Sequence, residues 1–179
     1  MHQKILIPEK VEITINGKEI AVKGPRGELK RNFDDPRFND EINFEISGGE
    51  FFVRTESTKR RMLAIAGTIT GHVKNMVTGV TKGYKRTMKI VYTHFPITVS
   101  VKGSDMEIKN FLGEKGIRKA RVMPGSDVKA EKEFITISGN DIEAVGQTAA
   151  NLESSCRIGR RDRRIFIDGI YMSEKSFAQ

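Results

Sequence analysis

The chain contains no tryptophan, one cysteine at Cys156, three histidines and three tyrosines in 179 residues. A lone cysteine excludes an internal disulfide framework and suits a reducing compartment. His2, His72 and His94 are scattered, so no metal site built from protein ligands is expected. With so few large aromatics, an exposed platform for stacking single-stranded bases is poorly supported. No stretch approaches the ~20 apolar residues of a bilayer span. The opening MHQKILIPEK has too short an apolar run for a secretory signal, and it lacks the Arg/Ser-rich character of a transit peptide. The expectation is a cytosolic protein with no membrane partner.

Catalytic machinery is also missing. No Ser/His/Asp order with an elbow motif occurs, and no histidine lies near a cysteine or paired acids. GPRGE (24–28) is glycine-rich after a strand, but its spacing is not that of a phosphate-cradling loop, so it reads as a tight turn. Cys156 falls on the apolar stripe of a helix and reads as a small buried hydrophobe. No enzyme activity, cofactor or small-molecule substrate is expected.

What the sequence has is positive charge, unevenly placed. Its net charge is +8, with a pI of about 9.6. Residues 54–90 carry nine Lys/Arg against one acid, 102–121 six against three, and 156–165 five against one. The remainder is net acidic. Segregation of this kind is the footprint of a polyanionic partner.

The chain also matches itself. At a shift of 86, Val11, Ile13, Ile15, Gly17, Ile20, Val22 and Gly27 meet Ile97, Val99, Val101, Gly103, Met106, Ile108 and Gly113. Apolar residues alternate at period two on both sides of a glycine, the pattern of a β-hairpin, and Asn16-Gly17 marks the first turn. INFEI (42–46) and FFVR (51–54) predict a further hairpin, and FITIS (134–138) a further strand. Met62, Ile65, Ile69, Val73 and Met76 form one stripe over 58–78. Ile142, Val145, Ala149, Leu152 and Cys156 form another over 141–156. Asn140 with Glu143 resembles a capping box. MKIVY (88–92) and IFIDGIY (165–171) read as a last strand after each helix. The expected fold is α+β, two tandem duplicated domains at 1–92 and 93–179. Each is an antiparallel sheet with one long helix packed on one face.

Basic clusters supply the candidate contacts. Lys115, Arg118, Lys119 and Arg121 lie in a glycine-interrupted segment, 113–125, which reads as a loop able to present cations and amides to phosphates. Arg157, Arg160, Arg161, Arg163 and Arg164 follow the second helix; the first two suit its negative end. Lys59, Arg60 and Arg61 open the first helix, where the dipole disfavours cations and an anion would offset the cost. Lys82, Lys85 and Arg86 occupy the turn after it. Contact with folded RNA through phosphate and 2′-hydroxyl groups fits this set.

IPEKVEITINGKEIAVKGPRGEL (7–29), HVKNMVTGVTKGYKRTMKIVYTHFPI (72–97), NFLGEKGIR (110–118) and DGIYMSEK (168–175) carry a further signal. Through them the chain resembles the universal large-subunit ribosomal protein family L-six, in the wording of its archaeal and eukaryotic cytosolic branch. Where that branch has a Trp-containing stretch before the first helix, this chain reads FFVRTESTKRR. The resemblance implies a structural constituent of the large cytosolic ribosomal subunit, with large-subunit ribosomal RNA and neighbouring ribosomal proteins as partners. It further implies RNA contact near the sarcin–ricin loop and the factor-binding region, made mostly by the C-terminal domain. Carried onto this sequence, it favours Lys115, Arg118, Lys119 and Arg121, then Arg157 to Arg164, with 59–61 and 82–86 as secondary contacts. A free RNA-binding module and an RNA-modifying enzyme are the competing readings.

Overall fold

Period-two alternation builds the strands and two 3.6-period stretches build the helices in the computed structural model, which describes residues 2–36, 41–159, 162 and 164–178. The chain divides into two compact units, 1–82 and 83–179, each with its own apolar core.

In the first unit, β1 (His2–Leu6), β6 (Glu50–Thr55) and β5 (Ile42–Ser47) form one antiparallel sheet in the order β1-β6-β5. A second sheet holds β2 (Glu12–Asn16), β3 (Glu19–Gly24) and β4 (Gly27–Asn32) in sequence order. Helix α1 (Arg60–Thr81) packs Ala66, Ile69, Val73, Val77 and Val80 against Ile20, Val22, Phe51 and Val53. Ile65, assigned to the apolar stripe by spacing, is only half-buried, and Ala66 takes the core position.

The turn inside GPRGE joins β3 to β4 and leans on the end of α1. Arg26 N donates to Val80 O at 3.1 Å. A Cβ on Gly24 would lie 2.7 Å from a methyl of Val80, so glycine is what permits that approach. The first hairpin turns at Gly17-Lys18, one residue later than Asn16-Gly17 suggests. Gly17 alone takes the left-handed conformation, at φ +64°.

The second unit opens with β7 (Tyr84–Val91). It then runs β8 (Thr98–Lys102), β9 (Asp105–Lys109), a short 3-10 turn (Phe111–Gly113), β10 (Arg118–Arg121), β11 (Ser126–Ala130), β12 (Phe134–Gly139), α2 (Ile142–Ser155) and β13 (Gly169–Phe177). One sheet is β10-β9-β8, the other β11-β12-β7-β13, both antiparallel. Met88, Met106, Ile108, Ile135, Ile137 and Ile170 meet Val145, Ala149 and Leu152 of α2 in the core.

A domain boundary at 92/93 therefore needs correction. The strand after α1 does not return to the first unit. Its residues pair with β12 on one side (Met88 with Ile135) and β13 on the other (Ile90 with Ile170), making it an interior strand of the second unit's sheet. In the first unit the matching neighbour of the hairpin strand is β1, which pairs with β6. Each repeat thus begins with a strand, and the second alone adds another, β13, after its helix. The last strand is also displaced: it starts at Gly169, not 165, and includes Ser173 to Phe177 of the tail.

The cap of α2 is Asp141, not Asn140; its Oδ1 accepts from Glu143 N at 2.9 Å. Just before β13, Asp168 is fully buried and accepts from Thr93 N (2.9 Å), Thr93 Oγ1 (3.2 Å), His94 N (3.3 Å) and His94 Nδ1 (3.2 Å). That cluster ties the turn after β7 to the entry of β13.

Candidate nucleic-acid interface

The segment expected as a loop at 113–125 contains a strand. Arg118 pairs with Ile108, Lys119 with Glu107, Ala120 with Met106 and Arg121 with Asp105. Side chains alternate across a strand, so Arg118 and Ala120 share the face of buried Met106 and Ile108, whereas Lys119 and Arg121 face solvent.

This alternation gives Arg118 a role different from the predicted one. Its Nε and Nη2 donate to both carboxylate oxygens of Glu114, at 2.9 and 2.7 Å. Its Nη1 donates to Ser155 O (2.9 Å) and Arg157 O (3.1 Å), carbonyls at the C-terminal end of α2. The guanidinium also lies 4.3 Å from the centre of the Phe111 ring. Donation to Glu114 raises its pKa against the opposing effect of burial. A fork spent on a carboxylate and two helix-end carbonyls has little left for a phosphate. Arg118 is a clamp between β10 and α2, a structural role that the sequence did not suggest.

The clamp nonetheless gathers the other candidates. Lys115 sits in the exposed turn whose Glu114 Arg118 holds, and Arg157 is exposed at the carbonyl that Arg118 anchors. Asn151 Nδ2 of α2 donates to Arg121 O at 3.0 Å, fixing the far end of β10 to the same helix. Lys115 and Arg157 therefore flank the seam between β10 and α2, while Lys119 and Arg121 stand on the solvent face of the same strand. The 3-10 turn beside it holds two non-glycine residues in the left-handed region, Asn110 at φ +59° and Leu112 at φ +52°. Asn110 Nδ2 donates to Pro96 O at 3.1 Å, and Leu112 is buried; such strain persists where packing over-determines it.

Arg164 is exposed on a separate turn, its Nε 3.7 Å from Asp162 Oδ1. Arg160, Arg161 and Arg163 lie outside the described residues. In the first unit, Lys59, Arg60 and Arg61 are exposed at the start of α1, with Lys59 Nζ 3.6 Å from Glu41 Oε1. Lys82 caps the other end of this 22-residue helix, about 33 Å away at 1.5 Å per residue. The secondary candidates are therefore not one patch. Lys85 and Arg86 fall on opposite faces of β7. Arg86 lies with Met88 on the helix-covered side, and its Nη2 would be 3.2 Å from a Cβ on Gly146.

Sequence reasoning missed the neighbours of Lys119. The solvent side of β8-β9-β10 also carries Lys102 and Lys109 around Glu107. Lys102 Nζ is 2.9 Å and Lys109 Nζ 3.9 Å from Glu107 Oε2. These are contacts of charge, because that buried oxygen has no partner meeting hydrogen-bond geometry. Lys102, helped by Lys109 and Lys119, holds the Glu107 carboxyl below its ordinary range although burial pushes it up. Period-two counting through 98–109 would have found this face.

Beside the end of α2 a cleft of about 630 Å³ is lined by Glu153, Cys156, Arg157 and Tyr171 among others. Cys156 there is buried, and burial pushes its thiol pKa up. That is the wrong direction for a nucleophile.

Fold and surface together define a duplicated α+β protein that displays cations on strand and helix ends and assembles no reactive pair among its described residues. The family described as Ribosomal protein L6 matches residues 7–83 and 95–169, one copy per unit. A protein of Methanospirillum hungatei is 47% identical over 174 residues, covering 96% of each chain. One of Ignicoccus hospitalis is 44% identical over 173 residues (96% of this chain, 93% of that protein). One of Sulfurisphaera tokodaii is 43% identical over 175 residues (98% and 92%). All three are named large ribosomal subunit protein uL6. The chain belongs to the ribosomal protein L6 family, whose members are structural and not enzymatic.

Proposed function

We propose that the chain is a structural constituent of the large subunit of the cytosolic ribosome, binding large-subunit ribosomal RNA by neutralising phosphates. The observation that carries this reading is the set of exposed cations on and beside β10, Lys115, Lys119, Arg121 and Arg157, which make no hydrogen bond or ion pair through their cationic groups to other described residues. Exposed cations not engaged in hydrogen bonds or ion pairs favour an external polyanion. The second unit is the main contact, and Arg160, Arg161, Arg163 and Arg164 are further candidate contacts by their sequence alone. Placement near the sarcin–ricin loop and the factor-binding region follows from the family resemblance. The secondary sites at 59–61 and 82–86 contact RNA or neighbouring ribosomal proteins.

Sedimentation tests the placement. The protein should travel with large subunits and polysomes and be released progressively by salt. Recovery only at the top of the gradient at low salt would instead indicate a free RNA-binding module.

A further inference from the structure

We propose that the solvent face of the β8-β9-β10 sheet is a second RNA-binding surface, on which Lys102, Lys109, Lys119 and Arg121 grip the backbone of a double-helical segment. The proposal rests on the ribosomal reading and extends it from the seam beside α2 to a whole sheet face.

Strand register places the residues. Lys102 lies opposite Asp105, and Asp105 opposite Arg121; Ser100 lies opposite Glu107, and Glu107 opposite Lys119; Thr98 lies opposite Lys109. All eight belong to one side of the sheet, because Val99, Met106, Ile108 and Ala120 take the alternating positions toward the core. Strands are about 4.8 Å apart and same-face residues along a strand about 7 Å apart, which spreads the four cations as a grid rather than a row.

Depth separates the two signs. The Glu107 side chain is 13% exposed, whereas Lys102 and Lys109 are 62% and 47% exposed. An approaching partner therefore meets ammonium and guanidinium groups first, with the Glu107 carboxylate held beneath them and the half-buried Asp105 between Lys102 and Arg121. The face carries hydroxyls at Thr98 and Ser100 and no aromatic or large apolar side chain. That composition suits phosphates and 2′-hydroxyls across an RNA groove and offers nothing for stacked bases or an apolar protein surface.

The experiment uses the full chain with protein-free large-subunit ribosomal RNA in a potassium chloride series. The double variant Lys102→Gln/Lys109→Gln should bind about tenfold more weakly. The slope of log affinity against log salt should become shallower by about 1.8, as expected for two lost phosphate contacts. Lys102→Arg/Lys109→Arg should bind as wild type does, and Glu107→Gln should bind more tightly, a sign that a purely scaffolding acid would not give. Unchanged affinity and slope in the glutamine variant, with wild type binding normally, would overturn the sheet-face assignment and leave the seam intact. Intact RNA affinity with lost subunit association would also overturn it, by assigning the face to an acidic protein neighbour. Failure of wild type to bind RNA would instead remove the functional reading itself.

Discussion

Arg118 has five N–H groups, and four of them are committed inside the protein. Removing the fork takes two donors from Glu114 and exposes the carbonyls of Ser155 and Arg157 at and just beyond the end of α2. Charged hydrogen bonds of this kind are each worth about 1.5–3 kcal/mol, and part of that is lost to solvent screening at a 27%-exposed side chain. Arg118→Gln should therefore lower unfolding free energy by about 2 kcal/mol in a urea titration. Arg118→Lys should recover little, because a single ammonium cannot reproduce the fork. A glutamine variant as stable as wild type would reduce the clamp to a surface contact. Asp168 gives the second test at this scale. Burial pushes its carboxyl up, but donation from Thr93 and His94 more than reverses this, leaving it below its ordinary value of 3.8. A depressed folded-state pKa stabilises above the unfolded value and is lost as pH falls through the folded one. The contribution should thus be complete above about pH 5 and decline through pH 4 and below. Asp168→Asn should cost about 1–3 kcal/mol at neutral pH and flatten this acid limb in unfolding curves recorded across the range.

At the scale of elements, the two helices were legible for the same reason and differ at their starts for a physical one. Both show 3.6-residue periodicity, and both form within a few residues of their expected limits. Helix α2 begins on Asp141 with Glu143 in its first turn, whereas α1 begins on Lys59 with no side-chain cap and no acid in its first turn. Cations at that end oppose the helix dipole. Lys59→Ser should then stabilise the chain by about 0.5–1 kcal/mol, read as a higher urea midpoint. The Lys59–Glu41 contact it sacrifices is exposed and weak. If 59–61 contact RNA, the same change should weaken binding while raising stability. β10 shows the opposite case. Its four residues, RKAR, contain a single apolar side chain, too little alternation to reveal a strand. The segment therefore reads as a loop in which Arg118, Lys119 and Arg121 look alike. Once the strand is seen, parity separates the clamp from the contacts.

For the molecule as a whole, the shift of 86 located the repeat to the residue. It carries Glu12–Asn16 onto Thr98–Lys102, and the start of β3 at Glu19 onto the start of β9 at Asp105. Gly17 and Gly103 share φ values of 64° and 60°. The shift could not show where each repeat begins, because pairing between strands distant in sequence leaves no local pattern. Tyr84–Val91 reads equally well as the end of one half or the start of the next, and only its partners decide. It lies between β12 and β13, contributing Met88 and Ile90 to the core of the second unit. Fragments test the consequence. A chain of residues 83–179 keeps that sheet intact and should fold cooperatively and retain most of the RNA affinity. A chain of residues 93–179 loses an interior strand, leaving the facing edges of β12 and β13 without backbone partners and two core side chains missing. Large-to-small changes at single buried positions already cost about 2–5 kcal/mol, against a total of roughly 5–15 kcal/mol for a domain. The shorter fragment should therefore show no cooperative thermal transition. If it melted like the longer one, β7 would be dispensable and the division near residue 92 would be restored.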